Sequence, residues 1–195
     1  ITFGSTHPQE ERVIFEAVKD LWQKLDSLIV IAPRHLTRVA EVEALLQEFN
    51  LPYSRLSRRR KPLEKFLLID TLGDLRNLYA LSSLAFVGGS LIPRGGHNLM
   101  EPAAYGVPVL SGRHTANFPL ESAALKKAGA LIEIENSGTL HRILSRFMED
   151  PAAFAGEGLK ARQVLRDMAG AVPRTMEALE RRGLLPKWPR KEPPQ

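Results

Sequence analysis

The sequence predicts an α/β protein: a doubly wound parallel sheet of about six strands with helices on both faces, followed by a helical C-terminal segment. Three observations predict it. Strand-like and helix-like patterns alternate through residues 1–135, as β/α units around a parallel sheet require. Residues 28–32 (LIVIA) are apolar at every position, as in strands covered on both faces. The remaining third reads as helix only, and no internal repeat interrupts the pattern.

Thr2 and Phe3 read as a strand end. Residues 10–25 form an amphipathic pattern with Val13, Ala17, Leu21 and Leu25 on one stripe and Ile14, Val18 and Trp22 beside it. Glu10 and Glu11 open that helix where its dipole favours acids. A second helix spans 38–49, stopped by Asn50 and Pro52. Strands follow at 53–57 and 66–70, a helix at 72–81, and a strand at 84–87 that runs into Gly88 and Gly89. A short helix at 99–105 ends at Gly106; then come a strand at 107–110, a helix at 118–128 and a strand at 131–134. Helices fill most of 139–149, 151–167 and 172–181, and the proline-rich, charged tail from Pro186 reads as irregular.

Composition bounds the function. The 195 residues suit one domain, and 44% hydrophobic with 25% charged residues is the balance of a soluble globular chain. With no cysteine there is no disulfide framework, thiol nucleophile or iron–sulfur cluster. No stretch approaches the roughly 18 apolar residues of a membrane span. The start lacks a basic region followed by an apolar run, so no signal peptide is expected; it begins at Ile1 and reads as the interior of a longer protein. A formal charge of +5 favours an anionic partner. With aromatics at 7% and placed at core-like positions, stacking platforms for nucleic acid are not evident.

Ligands of open α/β sheets sit at the carboxyl ends of the strands. The strongest feature there is residues 87–110, VGGSLIPRGGHNLMEPAAYGVPVL. Its glycines allow close backbone approach or positive φ, and the helix start offers free N–H groups to an anion. Arg94 adds a guanidinium for phosphate or carboxylate, and Glu101 can accept two ribose hydroxyls. A plain glycine-rich turn is the competing reading. Gly4-Ser5-Thr6-His7 supplies hydroxyls and an imidazole, or merely caps the next helix with Thr6 as N-cap and Pro8 in the first turn. Ala32-Pro33-Arg34-His35 puts cations at another strand end, or is a solvated loop. Asp70-Thr71-Leu72-Gly73-Asp74 and Gly112-Arg113-His114-Thr115-Ala116-Asn117 follow two further strands. The five histidines show no metal-ligand spacing, and no nucleophile elbow is present. The run Arg58-Arg59-Arg60-Lys61 reads as a solvated loop or a contact for phosphate-rich lipid or nucleic acid. Trp22 reads as a packing residue, and Trp188 as loose or docked on a neighbouring domain.

These motifs carry a resemblance. The glycine-rich loop with Glu-Pro-Ala-Ala and Gly-Val-Pro-Val resembles the nucleotide-binding half of the GT-B glycosyltransferases, which pair two Rossmann-like domains. Ser5-Thr6-His7, Pro33-Arg34-His35, Asp70-Thr71-Leu72-Gly73-Asp74-Leu75 and residues 88–102 (GGSLIPRGGHNLMEP) together resemble the 3-deoxy-D-manno-octulosonic acid (Kdo) transferases. Those bacterial enzymes move Kdo from CMP-Kdo onto lipid A precursor. Pro8 and Gln9 depart from the Glu-Gly pair usual after the histidine.

The resemblance implies the C-terminal, donor-binding domain of an inverting transferase that needs no metal or other cofactor. A Rossmann-like CMP-sugar-binding domain would span 1–170. The segment 171–195 would form a helix and irregular tail crossing to an N-terminal acceptor domain. The general base and a membrane anchor would lie in that other domain, so no catalytic residue is assigned here and this chain alone is expected to be inactive. The parent enzyme would work at the cytoplasmic face of the bacterial inner membrane, with no nucleic-acid partner. By position, Glu101 would hold the cytidine ribose. Gly95, Gly96, His97 and Asn98 would line the phosphate and donor-sugar region, with Gly89, Ser90 and Arg94 in the same loop. Arg34 would reach the phosphate, and its loop, with His35, would border the base. Leu72 and Gly73 would wall the pocket, and Ser5, Thr6 and His7 would face the cleft. Two alternatives remain at this point: a related transferase or epimerase using a UDP- or GDP-sugar, and a non-enzymatic module binding nucleic acid or anionic lipid through residues 55–65.

Overall fold

The computed structural model describes residues 1–58 and 63–184. Most of the Arg58–Lys61 run, Trp188 and the tail from Pro186 therefore lie outside the described residues. Seven strands form one sheet among the described residues, in the order β3-β4-β2-β1-β5-β6-β7. They are β1 (Thr2–Thr6), β2 (Ile29–Pro33), β3 (Tyr53–Arg55), β4 (Phe66–Leu68), β5 (Ala85–Val87), β6 (Val109–Ser111) and β7 (Leu131–Glu133). Every ladder is parallel.

Alternate strand residues go to opposite faces. Phe3, Ile29, Ile31, Phe66, Leu68, Phe86 and Leu110 enter one core. Helices α1 (Glu10–Val18), α2 (Val39–Glu48) and α6 (Ser137–Glu149) close it with Ile14, Phe15, Val42, Leu46, Leu140 and Leu144. Ala85, Val87 and Val109 face the other way. That side is covered by α3 (Leu75–Ala80), α4 (Met100–Ala103), α5 (Pro119–Lys127) and α7 (Ala155–Ala169), which bring Tyr79, Ala103, Leu125 and Ala161. β2, β4 and β5 are apolar throughout because both faces of the sheet are covered, whereas the middle strand, β1, carries Thr2, Ser5 and Thr6.

Helix α1 ends at Val18 rather than at residue 25. From there the chain continues in turns, with Leu21 N–H on the Val18 carbonyl and Lys24 N–H on the Leu21 carbonyl, an i→i−3 tightening. Leu21 and Leu25 are still buried, and Trp22 packs its ring against Phe66. β3 stops at Arg55 because Ser57 turns away to bind Asp70, its N–H donating to Oδ1 at 2.9 Å. α7 and α8 (Ala171–Arg181) meet at Gly170, and α8 is exposed at most positions from residue 173.

The chain starts in the middle of the sheet. β1 lies between β2 and β5, and the β4–α3–β5 connection carries the chain from one half of the sheet to the other. The carboxyl ends of β1 and β5 therefore flank a topological switch point, the crevice where such sheets bind ligands.

Candidate functional site

At the end of β1 the register with β2 breaks between Gly4 and Thr6, and the extra residue, Ser5, takes φ 54. A non-glycine residue there is strained by about 1–2 kcal/mol. The bulge re-aims Ser5 into the crevice. Gly88 allows the end of β5 to approach, since a Cβ would collide with the Ser5 carbonyl group, 2.7 Å from its carbon.

The capping expected of Thr6 is not made, which corrects that reading. Thr6 is the last residue of β1, its Oγ1 buried without a partner among the described residues, and α1 begins only after Gln9 at φ 77. Glu10 does the work instead. It is 0% exposed, and its carboxylate accepts four backbone N–H groups: His7 at 3.0 Å and Gly89 at 2.7 Å on Oε2, Ser90 at 3.0 Å and Leu91 at 2.9 Å on Oε1. Burial pushes its carboxyl up against the downward pull of those bonds. The neighbouring Glu11 carboxylate is also buried and is held by Arg38 in a fork at 2.8 and 3.3 Å.

A cleft of about 390 Å³ opens at the switch point, lined by Ser5, Arg34, Gly73, Leu75, Arg76, Tyr79, Val87, His97, Asn98, Glu101 and Phe118. That lies within the about 300–1,000 Å³ of small-molecule sites. Arg34 is set at its edge by its own N–H on the Thr6 carbonyl at 2.9 Å. Arg76 is steered by Tyr105, whose hydroxyl accepts from Nε at 3.0 Å. Glu101 sits in the first turn of α4, and no described salt bridge engages it although both arginines line the same cleft. Asn98 Oδ1 takes the Met100 N–H at 3.0 Å, so the first N–H of this helix of only four residues is satisfied by the residue that precedes its N-cap, Leu99. Tyr79 forms part of the floor under Gly4, and burial raises its phenol pKa far above the ordinary value.

Above the Glu10 knot lie three imidazoles. His7 Nε2 is 2.8 Å from His97 Nε2. Their rings are within 6° of coplanar with centroids 5.1 Å apart, the geometry of an edge-to-edge N–H···N bond rather than a face stack. His35 meets His7 edge-on at 5.9 Å. Burial, then His97, His35, Arg94 and Arg38, push His7 down to about 4; burial, then Arg34 and His35, lower His97. Among the described residues no group of three or more His, Cys, Asp or Glu is placed to hold a metal.

A second cavity of about 540 Å³ adjoins Gly95, with Arg113, His114, Thr115 and Lys126 in its wall. Asn117 ties down the Arg94–Gly96 turn beside it. Its Nδ2 donates to the Arg94 and Gly96 carbonyls at 3.1 and 3.2 Å, and its N–H donates to the Gly95 carbonyl at 2.8 Å.

Of the residues picked from the sequence, Ser5, Arg34, Gly73, His97, Asn98 and Glu101 line the cleft. His7 and His35 stand behind His97. Gly89 packs under the His97 ring, and its N–H and that of Ser90 are occupied by Glu10. Gly96 is buried with its N–H on the Gly89 carbonyl, Gly95 borders the second cavity, and Thr6 is buried. Arg94 is exposed, and Leu72 is 85% exposed. Sequence reasoning passed over Arg76, Tyr79 and Phe118 in the cleft. They sit inside ordinary helix-like patterns, where nothing separates a cleft face from a core face. It also read Glu10 only as a helix-dipole residue.

No family profile matches the chain. It is 32% identical over 181 residues to the 3-deoxy-D-manno-octulosonic acid transferase of Haemophilus influenzae, covering 91% of this chain and 42% of that protein. To the enzyme of the same name from Bordetella pertussis it is 35% identical over 187 residues, 92% of this chain and 44% of that protein. The chain thus spans less than half the length of these relatives. It superposes on the crystal structure of the C-terminal CMP-Kdo binding domain of WaaA from Acinetobacter baumannii with TM-score 0.78 and 32% identity, covering 84% of this chain and 87% of that one. The glycine-rich loop, the cleft at the switch point and these likenesses agree: the chain belongs to the Kdo transferase family of GT-B glycosyltransferases and corresponds to its C-terminal domain.

Proposed function

We propose that this chain is the donor-binding half of an enzyme that transfers Kdo from CMP-Kdo to lipid A precursor, and that CMP-Kdo occupies the switch-point cleft. The observation that carries the reading is the placement of Glu101, Arg34, His97 and Asn98 around one cleft of nucleotide size. The Glu101 carboxylate accepts both ribose hydroxyls. Arg34 donates to the phosphate, with His97 and Asn98 beside it. As the bond from the anomeric carbon of Kdo to the phosphate oxygen breaks, negative charge grows on the departing CMP. Fixed cations and N–H donors stabilise that charge without reorganising, which is where electrostatic catalysis gains most. Arg76 faces the same cleft and adds positive potential.

The acceptor site and the general base belong, in this reading, to a preceding N-terminal domain, and the exposed helix α8 crosses back to that domain. No described helix is long and apolar enough to span a membrane; a membrane anchor of the parent enzyme is assigned, in this reading, to that other half. Neither metal nor cofactor is called on: guanidinium and N–H groups take the phosphate charge.

Titration of the chain with CMP, UMP, UDP and GDP by calorimetry tests the reading. CMP binds tightest if it holds. Preference for a nucleoside diphosphate contradicts it and favours a UDP- or GDP-sugar enzyme of the same fold.

A further inference from the structure

A fully buried carboxylate with no cationic partner among the described residues needs an explanation. Such a group is expensive to desolvate unless its lone pairs are filled. Glu10 meets that demand with backbone N–H groups alone, and those come from two chain segments about 80 residues apart. One is His7, in the loop after β1; the others are Gly89, Ser90 and Leu91, in the turn after β5. Successive N–H groups in a glycine-containing turn form a concavity that takes an anion. Here the protein's own side chain fills it. These N–H groups are therefore not free for a ligand phosphate, which must be met by Arg34, His97 and Asn98 in the cleft wall.

Filling the concavity also fixes geometry. Both segments tied to Glu10 end in a histidine contact: His7 bonds His97, and Gly89 lies under the same His97 ring. Ser90 extends the knot to β6, its Oγ donating to the Val87 carbonyl at 2.6 Å and accepting the Gly112 N–H at 2.8 Å.

We infer that Glu10 is a positioning residue for phosphate recognition: an internal anion that locks the turn after β5 to the loop after β1 and so sets His97 at the cleft wall. This rests on the reading of the cleft as the CMP site. Glu10 touches neither ribose nor base in this assignment, and its effect passes through His7 and His97.

The test compares CMP with cytidine, which lacks the phosphate. Glu10→Gln is isosteric but turns an N–H donor toward two N–H groups. CMP affinity is expected to fall about tenfold, while cytidine affinity holds, so the CMP-to-cytidine ratio changes by about tenfold. A general loss of folded protein lowers both alike and leaves the ratio unmoved. An unchanged ratio in a wild type that binds CMP and a variant that binds cytidine overturns the positioning role. A wild type that binds no CMP overturns the reading of the cleft instead. A measurement on the wild type alone covers the case in which the variant does not fold. Amide exchange at Gly89, Ser90 and Leu91 is expected to be equally slow with and without CMP, because Glu10 holds those protons throughout. Exchange that slows there only when CMP is added means the phosphate uses these N–H groups, and overturns the inference.

Discussion

His7 and His97 share one proton along a 2.8 Å line between their Nε2 atoms, joining the loop after β1 to the loop after β5. One ring must donate and the other accept, so the bond is lost when both rings are charged. Folded His7 titrates near 4 against about 6.5 for the unfolded chain, with burial the main cause. Between those values the unfolded state binds more protons. The stability contributed by neutral His7 is therefore complete above about pH 6.5 and is lost as pH falls toward 4. Urea unfolding from pH 7.5 to 4.5 should show this decline, and His7→Gln should flatten it. An identical pH slope in wild type and variant contradicts the assignment.

Arg34 and Arg12 offer a matched pair of arginines. Arg34 lines the cleft, whereas Arg12 makes a solvent-exposed pair with Glu48 at 2.7 Å on the α1–α2 surface. A hydrogen bond to a charged group contributes about 1.5–3 kcal/mol, or roughly 10- to 150-fold in affinity. Arg34→Ala should weaken CMP binding by that factor, and Arg12→Ala should leave it unchanged. Equal losses from both would mean a diffuse positive surface rather than a site.

Gly158 lets α7 lie on the turn before β6. A Cβ there would overlap the Gly106 carbonyl group, 2.8 Å from its carbon, and crowd Pro108 Cδ at 3.1 Å. The obstacle is backbone, so relief requires moving the helix. Gly158→Ala should destabilise the fold by about 1–3 kcal/mol, as overpacking does. The cleft lies on other elements, so CMP affinity of the folded variant should be retained. A thermal melt and a titration on the same sample read both quantities.

The sheet has seven strands where about six were expected; the alternation of patterns reads most plainly at β2, β4 and β5, which are apolar because both faces are covered, and at helices covered on one face, which are periodic. Ends were less legible. β1 runs three residues further than Phe3 because Ser5 bulges, and a bulge leaves no mark in hydrophobic periodicity. The cleft residues that could be read were those at strand ends whose chemistry is unusual there: Arg34, His97, Asn98, Glu101. Glu10 could not be read from local pattern. An acid in the first turn of a helix satisfies the dipole wherever it points, and only the long-range pairing of β1 with β5 brings the Gly89–Leu91 turn over it. Arg76 and Tyr79 were hidden likewise, one cleft-facing edge of a six-residue helix being indistinguishable from its core face.

Glu101 separates ligand binding from helix electrostatics most sharply. Its carboxylate is in the first turn of α4, where the dipole alone would favour an acid. Pro102 follows without disruption, since first-turn N–H groups need no acceptor within the helix. Yet α4 has only four residues, and its Met100 N–H is already capped by Asn98, so dipole and capping leave little for Glu101 to do. Its side chain lines the cleft beside Asn98 and Tyr79. If it grips the ribose, Glu101→Gln should weaken CMP binding by about 1.5–3 kcal/mol and leave binding of 2′,3′-dideoxy-CMP nearly unchanged. A helix effect would instead lower thermal stability slightly and weaken both ligands alike. The cycle between side chain and ligand hydroxyls isolates the coupling from any general damage. Coupling indistinguishable from zero in a folded variant would remove Glu101 from the site, and the ribose would then have to be sought on the Arg76 side of the cleft.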